Sequence, residues 1–373
     1  MMPRRVLLMA RELDLGGSER QLTVIAKALD RSRFEALVGC FRPAGLRGQE
    51  LSAAGVGIAH FPVYSFASPA AASGAWKLAR FIRSRGIDLV HTFDYPLTAF
   101  AIPVGHFFTR AIVVSSQRAH RGLIPSGYRT LVRATDRLAD AIVVNCEFLR
   151  RHLEQDEGVA SSRIRLCYNG IDLDEFQSGD SSRPAELPAD ALVIGVVCAL
   201  RPEKDLPSLL KAFACVRRAR AGLKLAIVGG GPLLAALKSQ ARELAIVDEC
   251  VFAPATDRVA DWLRAIDIFV LPSRSEALSN SLMEAMACGC CAAASNVGGN
   301  PELVRNGETG LLFEAGDVAD LSARLELLIG NDSLRRRLAT AGVQWIRERF
   351  SVRSAAQRMG EIYGELLERR AGG

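Results

Sequence analysis

The sequence predicts an α/β protein built from two doubly wound parallel-sheet domains, and three observations carry that prediction. Short β-branched apolar runs alternate with longer amphipathic stretches. The alternation stops at a polar segment with two prolines and then starts afresh. The length, 373 residues, suits two domains of roughly 100–200 residues each. Runs apolar on both faces and separated by helices describe a parallel sheet covered on both sides.

The first series of runs is Val6–Met9, Ala36–Cys40, Gly57–Phe61, Leu89–His91, Ile112–Ser115, Ile142–Asn145 and Ile164–Tyr168. Leu22, Ile25, Ala26 and Leu29 between the first two fall at i, i+3, i+4 and i+7, one face of a helix. Residues 177–190 then read as an interdomain linker. The second series is Leu192–Cys198, Leu225–Val228, Cys250–Phe252, Ile268–Leu271, Cys291–Ala294 and Leu311–Phe313. The resulting division is a front domain over 1–176, a linker over 177–190 and a second domain over 191–350. Residues 351–373 form a closing helix with Ala356, Met359, Ile362, Tyr363 and Leu366 on one stripe. Such sheets take ligands at the carboxyl ends of their strands, and two facing sheets would make a deep cleft.

Composition narrows the function. Hydrophobic residues are 49% and charged residues 24%, too apolar for a disordered chain. No window holds the ~18 apolar residues of a membrane-spanning helix. The run Val6–Ala10 is too short for a signal peptide and ends at Arg11-Glu12, so it reads as a buried strand and the protein as cytoplasmic. The net charge is +6, and residues 1–175, with 23 basic and 17 acidic side chains, carry all of it. That excess suits an anionic membrane, an anionic substrate, nucleic acid, or a merely solvated arginine-rich face. Few aromatics and no recognised binding motif count against nucleic acid. Nine cysteines, mostly inside apolar runs, read as reduced buried thiols, and Cys288-Gly-Cys290-Cys291 lacks a second cluster of zinc spacing.

Several motifs sit at strand ends. Gly16-Gly17-Ser18-Glu19-Arg20 opens the first helix, with Gly16 and Gly17 allowing close backbone approach to an anion, or Ser18 simply capping a tight turn. It is no full dinucleotide fingerprint. Arg201-Pro-Glu-Lys204 follows a strand; two cations three apart can grip a diphosphate, or sit in a solvated turn. Gly229-Gly230-Gly231-Pro232 is a close backbone approach or a sharp reversal. In Glu276-Ala277-Leu278-Ser279-Asn280-Ser281-Leu-Met-Glu284, Glu276 precedes a helix that starts near Asn280 and Glu284 lies one turn inside it. Amides for a diphosphate and carboxylates for sugar and ribose hydroxyls suit a nucleotide-sugar; Ser281 to Glu284 also spells a capping box. Asp267 reads as a structural acceptor, and Gly298-Gly299-Asn300-Pro301-Glu302 and Asn306-Gly307-Glu308-Thr309-Gly310 as turns.

Together with Asn169-Gly170-Ile171-Asp172, this ordered series resembles the retaining glycosyltransferases of family 4, with the two-domain GT-B fold, from residue 16 to about 313. The resemblance implies that the second domain holds a nucleotide-sugar donor and that the closing helix crosses back onto the front domain. Glu276 would bond the donor sugar and Glu284 the ribose, while Arg201 and Lys204 neutralise the leaving diphosphate. Amides at Leu278, Ser279 and Asn280 would touch sugar and phosphate, with Gly17 approaching from the front domain. Charge on the departing diphosphate would be met by Arg201, Lys204 and the helix N-terminus, so the reading expects no cofactor, no metal and no Asp-x-Asp pair to hold one. Two departures stand out. Ala277 replaces the family's usual Gly. The front-domain histidine is offset to His120, leaving Gln117, Arg118 or His91 as other candidates for its place.

The leading expectation is a retaining transferase using a UDP-sugar rather than a GDP-sugar and a lipid-linked or polysaccharide acceptor in cell-surface glycan synthesis. Peripheral contact with an anionic membrane at the inner face is expected from the basic front half and family habit; the basic amphipathic helix over 126–138 permits it, and a soluble groove lined by arginines is equally compatible. The alternatives are an epimerase of the same fold or a non-catalytic nucleotide-sugar-binding subunit.

Overall fold

The computed structural model describes residues 3–63, 65–66, 68–179 and 183–371, so part of the expected linker lies outside the described residues. The chain forms two compact units, one of residues up to Gly170 together with those from Val352 onward, the other Ile171–Ser351.

The first unit holds seven strands: β1 (Arg4–Glu12), β2 (Phe34–Arg42), β3 (Gly57–His60), β4 (Leu89–Thr92), β5 (Ile112–Gln117), β6 (Ala141–Val144) and β7 (Ile164–Leu166). They lie in the order β3-β2-β1-β4-β5-β6-β7, all parallel. The alternation of β1 explains its unbroken apolar run. Val6, Leu8 and Ala10 pack with Leu22 and Ile25 on one face of the sheet, while Leu7 and Met9 pack with Leu78, Ile82 and Leu97 on the other. The helix Val352–Ala371 places Ala356, Met359, Ile362, Tyr363 and Leu366 in the core of the first face. The first helix, Gly17–Ala28, starts at an extended Gly16 with no side-chain cap, so Ser18 stands inside the helix rather than capping it.

The second unit repeats the plan with β8 (Val193–Val197), β9 (Lys224–Val228), β10 (Cys250–Ala253), β11 (Ile268–Leu271), β12 (Cys291–Ser295) and β13 (Gly310–Phe313), in the order β10-β9-β8-β11-β12-β13. Asp267 accepts from the Val193 N–H at 2.8 Å and ties β11 to β8, a structural acceptor as its sequence setting implies. The second compact unit takes in the chain from Ile171 onward. Ile171 bridges Ser351, Phe176 is fully buried, and Arg264 donates to the carbonyls of Glu175 and Gln177. Further along the same segment Leu187 is buried and Arg183 holds the Ala191 carbonyl.

Both sheets reverse at their first strand. β1 lies between β2 and β4, and β8 lies between β9 and β11. At such a crossover the loops leaving the two central strands diverge and open a crevice at their carboxyl ends. Among the described residues no helix is long and apolar enough to cross a membrane.

Candidate functional site

In the second unit the crossover loops carry charge. The chain leaving β8 enters a 3-10 turn, Pro202–Lys204, closed by Asp205 in the left-handed region (φ 46°). The chain leaving β11 runs through Pro272 and Ser273 to Glu276. Lys204 Nζ donates to Glu276 Oε1, and Ser273 Oγ donates to the same oxygen at 2.7 Å. The pair is mostly buried, with side chains 18% and 10% exposed. Burial alone would lower the lysine's pKa; the Glu276 carboxylate outweighs it and holds the ammonium above its usual range. A second stitch joins the loops. Arg274 Nε lies 2.9 Å from Asp205 Oδ2, and its N–H donates to the Glu203 carbonyl.

The Glu276 loop is braced from behind by the turn after β12. Gly298 has φ +57°, and a Cβ there would come within 1.9 Å of the Glu276 carbonyl oxygen. The Gly299 N–H donates to the Ala277 carbonyl at 2.7 Å. Asn300, fully buried, donates to the Ser295 carbonyl, and Ser295 Oγ donates to the Ser273 carbonyl at 2.6 Å. A buried polar chain thus runs from Asn300 through Ser295 and Ser273 to Glu276. Gly229 serves the β8 loop in the same manner, since a Cβ there would meet the Cys198 carbonyl oxygen at 1.9 Å.

The helix after the loop is Asn280–Ala287. Its cap is Ser279, whose Oγ accepts from the Leu282 N–H at 3.3 Å. Ser281 therefore lies inside the helix, and Glu284 stands beyond the reach of a capping box, which overturns the capping account of that glutamate. Glu284 is 4% exposed, a burial that the capping box no longer accounts for. Ala277, Leu278 and Ser279 are buried, Asn280 and Ser281 half-buried, and Arg201 exposed.

The front-unit candidates are engaged in their own architecture. Glu19 folds back over Gly16, its carboxylate oxygen where a Cβ of that residue would stand, and bonds its own backbone N–H. The amide end beside Gly16 and Gly17 is thus already occupied by the Glu19 carboxyl group, whose pKa burial raises. Asp94, at the end of β4, accepts from the Arg11 and Leu97 N–H groups and caps the helix Tyr95–Phe108; burial pushes its carboxyl up to about 7. His91 is fully buried, with Nδ1 2.6 Å from the Tyr363 hydroxyl and Nε2 2.8 Å from the Ser116 hydroxyl. Burial, aided by Arg118, holds it neutral. Arg118 donates to Asn169 Oδ1 at 2.8 Å and stacks on Phe93, and Gln117 donates to the Ala119 carbonyl. Half-buried His120 accepts the Gly122 N–H on Nδ1 and lies 4.3 Å from the His152 ring at a 37° tilt; burial and that neighbour lower its pKa.

One Asp-x-Asp does occur, Asp172-Leu173-Asp174, but Asp172 Oδ1 takes the Asp174 N–H at 3.0 Å and closes a turn. Among the described residues no group of three His, Cys, Asp or Glu side chains is arranged for a metal. Cys288, Cys290 and Cys291 are buried, and burial pushes the Cys288 and Cys291 thiols up to about 12. Sequence reasoning missed Ser273, Ser295 and Asn300. Their only sequence signal is a serine at the end of each of two buried strands.

Residues 179–345 match the family described as Glycosyl transferases group 1, and residues 15–175 match Glycosyltransferase Family 4. Relatives include the D-inositol 3-phosphate glycosyltransferase of Streptomyces bingchenggensis, 31% identical over 61% of this chain and 53% of its own. Another, of the same name, is from Rhodococcus erythropolis, 35% identical over 60% of this chain and 53% of its own. The chain thus spans about half the length of the curated relatives it matches. Among solved structures, Anabaena HepE in complex with UDP and glucose superposes with a TM-score of 0.84 at 21% identity, covering 96% of this chain and 99% of that one. That likeness is one of fold, and both parallel-sheet units take part in it.

Proposed function

The chain belongs to the group 1 and family 4 glycosyltransferases of GT-B fold, and from that premise we propose that it transfers a sugar, with retention, from a UDP-sugar to a lipid-linked or polysaccharide acceptor. The observation that carries the reading is the Lys204–Glu276 pair set across the β8/β11 crossover and braced by Ser273 and Gly298. A cation and a carboxylate held together at the ligand end of a parallel sheet match the two halves of a nucleotide-sugar. Lys204 and exposed Arg201 meet the diphosphate, and Glu276 accepts hydroxyls of the sugar. In this reading amides of Leu278, Ser279 and Asn280 meet the same groups and Glu284 takes the ribose.

The chemistry follows from charge. As the anomeric carbon–oxygen bond breaks, negative charge grows on the diphosphate, where Lys204 and Arg201 stabilise it. The acceptor attacks from the same face, and a donor phosphate oxygen takes its proton. These cations supply the charge a metal would otherwise bring, so turnover is expected to persist in chelator. HepE's UDP and glucose support the choice of base.

The test is melting with UDP, GDP, ADP and their sugars in chelator, on the unchanged protein, Lys204→Ala and Glu284→Ala. Binding at one hundred times Kd adds about 2.7 kcal/mol, roughly 5–10 °C in a domain of this size. A selective rise with UDP that both substitutions weaken supports the donor site. Absence of any rise at millimolar nucleotide, in folded protein, removes it.

A further inference from the structure

Lysine carries a point charge on a flexible four-carbon stem, so the place of its ammonium depends on how firmly its backbone is held. Lys204 ends a turn of only three residues, Pro202–Lys204, and the next residue, Asp205, turns the chain into the helix Leu206–Val216. Asp205 does so at φ 46°. Among the described residues only it and Ala245 adopt positive φ without being glycine. A side chain in that region persists only where its surroundings hold it.

Two neighbours hold Asp205, which is itself buried. Its Oδ2 accepts from Ser208 Oγ at 2.9 Å, at the start of the helix that follows. The same oxygen lies 2.9 Å from Arg274 Nε. Arg274 belongs to the other loop, two residues before Glu276, and its main-chain N–H donates to the Glu203 carbonyl at 2.8 Å. One residue of the β11 loop therefore grips the β8 loop on both sides of Lys204, by main chain at Glu203 and by side chain at Asp205. The guanidinium is backed in turn by the loop after β13. At Gly316, φ +79°, a Cβ would stand 3.0 Å from Arg274 Nη2. The Arg274 side chain is 60% exposed, so the ion pair adds little to stability, and its worth lies in placement.

We propose that Arg274 and Asp205 are positioning residues for sugar transfer: a latch between the β8 and β11 loops that fixes Lys204 from both sides and so sets its ammonium against Glu276. The inference rests on the reading of that pair as the donor site. Neither Arg274 nor Asp205 is assigned a contact with the donor. The latch acts through Lys204, and that gives it a signature: its loss costs nothing once Lys204 is gone.

The test is calorimetry with UDP, together with release of UDP from UDP-glucose with water as acceptor, on the whole protein and its variants in chelator. Arg274→Ala and Asp205→Gly should each weaken UDP binding about tenfold and lower kcat at saturating donor by roughly 10–100-fold. Asp205→Gly removes the backbone strain along with the carboxylate, so its loss belongs to the carboxylate. Asp205→Asn keeps an oxygen for Ser208 and Arg274 and tolerates the left-handed region, and it should stay within about threefold of the unchanged protein. Lys204→Ala/Arg274→Ala should lose no more than Lys204→Ala alone. Melting of each donor-free variant checks that it is folded. The latch falls if Arg274→Ala or Asp205→Gly turns over as fast as the unchanged protein while Lys204→Ala does not. It also falls if the Lys204→Ala and Arg274→Ala losses multiply in the double variant, which would make Arg274 a donor ligand in its own right. A protein that ignores UDP, or a Lys204→Ala variant that binds and turns over as before, removes the donor-site reading and the latch with it.

Discussion

The two units share a strand order and differ at the place where that order makes a crevice. At the β1/β4 crossover every notable group is closed on the fold itself. Glu19 sits on its own helix end, Asp94 holds two backbone amides, and His91 is bonded at both nitrogens. At the β8/β11 crossover the notable groups are a cation and an anion that hold each other, on loops packed closely against glycine turns. A crevice supplied by topology becomes a binding site only where the side chains at its rim are not needed by the fold.

The largest test of that contrast is activity. Lys204→Ala and Glu276→Ala should each lower sugar transfer by roughly 10²–10³, the loss found when one preorganised charge partner is removed. His120→Ala, by comparison, should leave turnover within about tenfold, since its imidazole is occupied with a 3-10 turn and His152. Rates measured with saturating donor decide it, and an equal collapse in His120→Ala would erase the distinction between the crossovers.

A charge pair of the other kind sits in the first unit. Glu157 binds Arg133 and buried Arg121, and hydrogen bonding from Arg133, reinforced by the Arg121 charge, holds its carboxyl down from the usual 4.5 to about 2. The folded pKa lies below the unfolded one, so the stabilisation is complete above about 4.5 and vanishes as pH falls toward 2. Glu157→Gln should cost on the order of 3 kcal/mol at neutral pH and flatten the acid limb of a melting profile. Unchanged acid sensitivity would show that this network is not what acid unfolds first.

Much of this contrast was legible in the sequence, and what escaped has a physical reason. Strand runs, their two series and the order of the second-unit motifs follow from local patterning, because a strand–loop–helix unit fixes spacing. Ser273, Ser295 and Asn300 escaped because their chain joins two strand ends that are neighbours only in the sheet. Residue type offers Ser18 and Ser281 as alternative caps, while chain geometry gives those places to Gly16 and Ser279. The boundary at residue 170 rests on Ile171 meeting Ser351, 180 positions away.

Two glycines then sharpen the comparison at smaller amplitude. An added Cβ meets an oxygen at 1.9 Å both at Gly16 and at Gly298. At Gly16 the oxygen ends a flexible glutamate, which can swing away. At Gly298 it is the backbone of Glu276, and φ is +57° besides. Gly298→Ala should therefore cost about 1–3 kcal/mol and displace the loop, lowering transfer roughly tenfold, while Gly16→Ala stays within about 0.5 kcal/mol. Equal effects at the two positions would mean that the Glu276 loop is not braced from behind.

The finest test asks what the Lys204–Glu276 pair does before substrate arrives. A lysine neutralised by a carboxylate cannot give its full charge to a diphosphate until that carboxylate lets go or turns to the sugar. Donor binding is then an exchange, with the diphosphate taking Lys204 and the sugar hydroxyls taking Glu276. Glu276→Gln removes the competitor and keeps the shape. It should bind UDP, which has no sugar to hold, roughly tenfold more tightly, about 1.4 kcal/mol, even as transfer from the UDP-sugar falls. Calorimetry with UDP on both proteins reads the difference directly. Weaker UDP binding in Glu276→Gln would mean that the carboxylate aims the ammonium instead of restraining it, and that the two side chains bind the diphosphate as one unit.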